Sequence, residues 1–129
     1  GDVASDIQPV LAAAELIRLQ RLVRRVPAPR IVVETAVKLA RMTRPGDPLA
    51  PEVVKEYVSW GAGPRASQYL VLGAKARAAM DGRPMADLED LDAVALPVLR
   101  HRIVVNFSAE AAGKKTDEIV RDVMKVART

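Results

Sequence analysis

The stretch Gly61-Ala62-Gly63-Pro64-Arg65-Ala66-Ser67 decides how the rest of the chain is read. Two glycines and a proline make a tight loop that runs straight into a helix. Gly61 and Gly63 can take positive φ, and Pro64 suits the first helical position, where a missing N–H costs nothing. Arg65 then falls in the first turn, facing the positive end of the helix dipole. That placement costs about 0.3–1 kcal/mol unless something compensates. Two readings follow. Either Arg65 has an anionic partner, as residues that break a local rule at ordered positions often do, or its long stem bends away into solvent.

Upstream of the loop, a short helical segment is expected from Pro51 to Trp60. Tyr57 and Trp60, three apart, would pack on one side of it and brace the loop as core aromatics. No aromatic ladder accompanies them, so a base-stacking platform is not indicated. Arg44-Pro45-Gly46-Asp47-Pro48 is the strongest breaker cluster in the chain. Before it, a helix is expected from Pro29 or Arg30 to Met42 or Thr43. Its buried stripe is Ile31, Val32, Ala36, Leu39, Ala40 and Thr43, widened by Val33 and Val37. An earlier helix starts near Ala12, carries Leu16, Leu19, Val23 and Val26 at helical spacing, and ends at Pro27 and Pro29. Residues 1–8 read as a loose N-terminal segment or a scar left by cleavage, and Pro9-Val10-Leu11 as an extended lead-in. Residues 9–129 read as one domain.

Downstream, the helix that begins at Pro64 should run to Met80 and close at Asp81-Gly82. Ala66, Tyr69, Leu70, Gly73, Ala76 and Met80 form its stripe. The small residues Gly73, Ala74, Ala76, Ala78 and Ala79 would let neighbours approach closely, as suits a central helix. Asp87 can cap a further helix, with Asp90 three residues on in a capping-box position. Leu88, Leu91, Val94 and Ala95 supply its apolar side, and Pro97 interrupts or restarts it. From Arg100 to Val105 the texture turns extended. After Gly113-Lys114-Lys115, Thr116 can cap a last helix built on Ile119, Val120, Val123 and Met124. The fold class is mainly α: a small helical bundle with at most a short strand or two near residues 102–107.

The composition of the 129 residues excludes several functions. Half are hydrophobic and 28% are charged, as in ordinary globular domains. Aromatics are only 3%, so Ala, Val, Leu and Ile must build the core. The absence of cysteine removes disulfides and thiolate metal sites and points to a reducing, cytoplasmic setting. With a single histidine as well, no metal site is expected. No apolar run is long enough to span a bilayer. The chain begins with glycine rather than methionine, which suggests a piece of something longer.

Catalytic sets are missing. No glycine-rich loop ends in Lys-Ser/Thr, so the chain has no phosphate loop of its own. The sole histidine, His101, sits among arginines, and no nucleophile–base pair can be assembled around it. Glu89, Asp90 and Asp92 open a helix and read as dipole partners. Taken alone, this stretch is not expected to be an enzyme.

Preceded by Tyr57-Val58-Ser59-Trp60, the loop resembles the lid-domain signature of the MoxR family of AAA+ ATPases. Leu19-Gln20-Arg21-Leu22-Val23-Arg24-Arg25-Val26-Pro27 is similar to the first lid helix and its exit. Arg41 to Pro45 resembles the end of the second, Ala74 to Gly82 the end of the third, and Leu96 to Arg102 the segment after the fourth. The likeness covers roughly residues 9–127.

The resemblance implies a lid that closes over ATP held by an α/β core absent from these residues. Arg65 would be the sensor-two arginine, acting catalytically with that core, and Gly63, Pro64 and Arg65 the nucleotide-binding loop and helix start. The family commonly has serine where this chain has Gly63. Apart from the resemblance, Arg100 and Arg102 are candidates for contact with nucleotide or a neighbouring subunit, the alternative being a solvated basic edge. The parent would hydrolyse ATP with Mg in a ring of subunits, acting as a chaperone for maturation of or metal insertion into client proteins, with von Willebrand factor A domain proteins as partners. The alternative from composition is a basic helical module that binds nucleic acid or protein. It is motivated by Arg18, Arg21, Arg24 and Arg25 and a pI near 9.8. Against nucleic acid, the charge is spread over several helices and no recognition helix stands out.

Overall fold

Prolines and glycines punctuate this chain where the sequence places them. The computed structural model describes residues 2–128, and side chains from Ala13 onward. In order the elements are α1 (Asp2–Arg25), α2 (Arg30–Met42), α3 (Glu52–Tyr57), β1 (Val58–Trp60), α4 (Ala66–Met80), α5 (Leu88–Leu99), β2 (Val104–Val105), α6 (Phe107–Ala112) and α7 (Thr116–Arg128). The mainly α expectation holds, with one two-stranded antiparallel sheet among the described residues.

α4 is the central helix, packed against α1, α2 and α5. Its buried row is Ala66, Leu70, Ala74 and Ala78, every fourth residue. This is narrower than the expected stripe: Tyr69 and Met80 are exposed. A ridge of mostly alanines lets the neighbouring helices close in, which leaves the larger side chains at the edges of the contact. A Cβ on Gly73 would meet Val94 of α5 at 3.2 Å, so the glycine sets the closeness of α4 and α5. Val32, Ala36, Leu39, Ala40 and Met42 of α2 complete one side of the core, and Ile119, Val120 and Val123 of α7 another. Ile31, Val33 and Val37 stay exposed.

α1 begins ten residues earlier than the lead-in reading suggests. Nothing from Asp2 to Gln8 breaks a helix. Pro9 fixes a φ that a helix accepts and removes one backbone bond without ending the element. The expectation for Gly1 lies outside the described residues. Of the α1 stripe, Val23 is buried, Leu19 and Val26 are half-buried and Leu16 is exposed, so the helix joins the bundle by its C-terminal end.

Two further differences concern short elements. The helix before the loop stops at Tyr57, and Val58–Trp60 is a strand paired with β2 in the register Val58↔Val105 and Trp60↔Val104. A bulge between Val58 and Trp60 breaks the two-residue alternation. Val58 is therefore buried while Trp60 is 72% exposed. Trp60 does not brace the loop as a core aromatic, and Tyr57 is only half-buried. The sequence reading also misses α6. Asn106 caps it by accepting from the Ala109 N–H at 3.0 Å, while its amide nitrogen donates to the Glu56 carbonyl at 2.8 Å. Gly113 ends α6 with φ of 70°.

α5 starts with the expected capping box between Asp87 and Asp90 and continues through Pro97 to Leu99. The proline removes one backbone bond near the C-terminal end, where little helix remains to be disturbed.

Candidate functional site

The loop of Gly61 to Arg65 is held from below by the end of α2. Thr43, the residue that closes α2, is fully buried. Its hydroxyl donates to the Ala40 carbonyl at 2.7 Å and accepts from the Ala62 N–H at 2.9 Å. Next to it, the Arg44 Nε donates to the Ala62 carbonyl at 2.7 Å and an Nη to the Gly63 carbonyl at 3.1 Å. Three hydrogen bonds therefore fix the loop to the helix end, and the fourth anchors Thr43 to α2 itself. Gly61 permits this approach, because a Cβ there would lie 2.3 Å from the Thr43 carbonyl oxygen. Its φ is not positive, nor is that of Gly63. The conformational reason given for these glycines is thus replaced by a steric one at Gly61. At Gly63 a Cβ would meet nothing within 4 Å.

Thr43 and Arg44 hold the loop in place, a role that sequence reasoning did not single out. One signal was present: a threonine on an apolar stripe must place its hydroxyl on a partner.

Pro64 and Arg65 form a turn, and α4 proper begins at Ala66, two residues later than expected. The Ala66 N–H bonds to the Gly63 carbonyl at 3.1 Å, so the chain is already turning at Gly63. Arg65 occupies the capping position at φ −82°, and no side chain caps α4. Its guanidinium is exposed and has neither hydrogen bond nor ion pair among the described residues. Arg65 thus sits at the positive end of α4 with its charge unanswered.

It faces a hollow of about 440 Å³ lined by Gly63, Pro64, Arg65, Ala66, Tyr69 and Arg102. The Arg102 Cζ lies 4.5 Å from the centre of the Tyr69 ring, and one of its terminal nitrogens donates to the Val98 carbonyl at 2.8 Å. No carboxylate lines the hollow. Of the two arginines named for contact, the structure brings Arg102 to Arg65 but not Arg100. Arg100 pairs with Asp117 of α7 at 3.1 Å and is absent from the lining. His101 between them is exposed.

Two of the three acids at the start of α5 make ion pairs. Asp90 is buried and binds Arg83, Arg77 at 3.2 Å, and the Asp87 N–H at 2.9 Å. The Arg83 guanidinium lowers its pKa to about 2, against an opposing push from burial. Asp92 pairs with Arg128. Among the described residues no three acids, histidines or cysteines cluster to hold a metal ion. A hollow with two guanidinium groups and no acid suits a phosphate chain and not a cation.

This bundle belongs to the AAA lid domain family, whose model matches residues 50–123. The chain is 29% identical over 116 residues to Chaperone MoxR1 of Mycobacterium tuberculosis, covering 90% of this chain and 31% of that protein. It is also 29% identical over 122 residues to "Uncharacterized protein YeaC" of Bacillus subtilis, covering 95% and 35%. The crystal structure of a "putative ATPase" from Cytophaga hutchinsonii superposes with a TM-score of 0.76 and 30% identity, over 81% of this chain and 32% of that one. The chain is homologous to MoxR1 and fits the C-terminal lid of a MoxR-family AAA+ ATPase. It spans about a third of the length of the relatives it matches.

Proposed function

We propose that this lid closes over ATP held by an AAA+ core and supplies Arg65 as the sensor-two arginine. One observation carries the reading: a guanidinium without a partner among the described residues, at the start of the central helix, on a loop that Thr43 and Arg44 hold still. The positive end of α4 raises the energy of Arg65 when it stands alone and adds to its pull on an anion. The terminal phosphates of ATP would be that anion. Their arrival offsets the unfavourable placement, so closing the lid and binding nucleotide reinforce one another.

During hydrolysis, a fixed cation beside the transferred phosphoryl group stabilises the charge that spreads over its oxygens. Because the loop is bonded to α2, the arginine needs little reorganisation to do this. Gly63 and Pro64 shape the approach, and the open space at Gly63 leaves room for phosphate oxygens. The magnesium ion that accompanies ATP would take its ligands from the core. Loss of the γ-phosphate would remove Arg65's partner and release the lid.

In the cytoplasm, a ring of such subunits could pass that motion to a client. One relative is named a chaperone, which supports a chaperone role; the form we propose for it is maturation of, or metal insertion into, other proteins, with von Willebrand factor A domain proteins as partners. The decisive experiment places Arg65→Ala in the ATPase that carries this lid. The turnover rate is expected to fall about a hundredfold, the size of effect seen when one preorganised donor is removed. Unchanged turnover together with unchanged ATP affinity would sink the assignment.

A further inference from the structure

Arg65 and Tyr69 stand one turn apart on α4, and the Tyr69 N–H bonds to the Arg65 carbonyl at 3.1 Å. Both therefore present to the same side of the helix. Arg102 arrives from a different segment, the turn between α5 and β2, and its guanidinium lies over the Tyr69 ring. Two cations thus line one hollow with an aromatic ring beside them and no acid to answer either. Arg102 makes no ion pair among the described residues, although acids elsewhere in the chain are paired with Arg41, Arg77, Arg83 and Arg100. Its protein contacts are a carbonyl and a ring, which fix the guanidinium while leaving its charge uncompensated and most of its N–H donors unused.

Resting on the lid reading above, we propose that Arg102 is a second phosphate-binding residue of this lid. Tyr69 is its positioning residue. Arg65 and Arg102 together grip two phosphate groups of one nucleoside di- or triphosphate. Two like charges facing one hollow repel, and an anion with two separated negative groups relieves both at once. The Tyr69 ring and the Val98 carbonyl prevent Arg102 from folding back into solvent. Part of the ordering cost that a long side chain meets on binding is thereby met beforehand.

The test measures dissociation constants for ATP and for adenosine in the ATPase that carries this lid, with thermal melting recorded for every variant. Arg102→Ala and Arg102→Gln are each expected to weaken ATP binding about tenfold and to leave adenosine binding unchanged. Tyr69→Leu should weaken ATP binding several-fold, and Tyr69→Phe, which keeps the ring, should restore it. Exposed side chains at both positions make unfolding an outcome the melting curves reveal, and the milder Gln and Phe variants keep the comparison available. Unchanged ATP affinity in both Arg102 variants, in a protein whose Arg65→Ala form is impaired, overturns the second contact and leaves the lid reading standing. A loss shared equally by ATP and adenosine overturns it too, since a phosphate contact cannot act on adenosine. If Arg65→Ala is also silent, the lid reading falls and takes this inference with it.

Discussion

The Thr43 hydroxyl and the Ala62 N–H, 19 residues apart in sequence, meet at 2.9 Å in the interior and join the end of α2 to the arginine loop. Ala62 is itself buried, so water is not on hand to replace the bond. Thr43→Val keeps the shape and removes the acceptor. It should cost about 1–3 kcal/mol, the penalty for stranding a buried donor, read as a lower midpoint in urea unfolding.

The two loop glycines should respond in opposite ways. Gly61→Ala drives a methyl group into the Thr43 backbone, which has no flexible end to move aside. A loss of about 1–3 kcal/mol is expected, typical of forced overpacking. Gly63→Ala meets open space at a φ that any residue accepts. It should be neutral or stabilise by about 0.4–1 kcal/mol, by restricting the unfolded chain. Paired denaturation curves give both results.

Arg100 and Arg65 should exchange phenotypes. Arg100 joins the end of α5 to α7 through Asp117, in a half-buried pair. Arg100→Ala should lower stability by about 1 kcal/mol and leave ATP affinity untouched. Arg65→Ala should keep or slightly raise the melting temperature, because a cation leaves the positive end of α4, and should change the nucleotide chemistry. Melting and ATP titration on the same two samples separate the roles.

Asp90 sets an acid limit on stability. Its carboxyl is lowered to about 2 in the folded chain, chiefly by the hydrogen bond from Arg83. The unfolded value is near the ordinary about 3.9. A depressed folded value means that the contribution is complete above the unfolded pKa and is lost as pH falls from about 4 toward 2. Asp47, lowered mainly by Arg41, adds in the same direction. Unfolding free energy measured at pH 7, 4 and 2.5 should drop steeply over the last interval. In Asp90→Asn that drop should shrink, on a protein about 2 kcal/mol less stable at pH 7 because a buried charge pair is broken.

Much of the fold was legible because its boundaries are marked by residues that act locally. Pro27 and Pro29 separate α1 from α2, the capping box of Asp87 and Asp90 opens α5, and Gly113 closes the turn before α7. What could not be read depends on contacts distant in sequence. Trp60 looked like a core residue at helical spacing, but pairing with Val104 pulls it into a bulged strand. Six residues are too few for periodicity to reveal α6, whose local marks are the Asn106 cap and the Gly113 that ends it. At the site, Arg65 was visible as a cation on the wrong end of a helix. Thr43 and Arg44 were not, since what they hold lies 18 or 19 positions away.

Trp60 gives the molecule a consequence of another kind. It is the chain's one tryptophan, and it stands in solvent on the strand that leads directly into the arginine loop. An indole changes emission colour when water around it is replaced by protein. The domain therefore carries its own optical gauge a few residues from Arg65, and any surface that comes to rest on that strand announces itself as a blue shift without a dye attached.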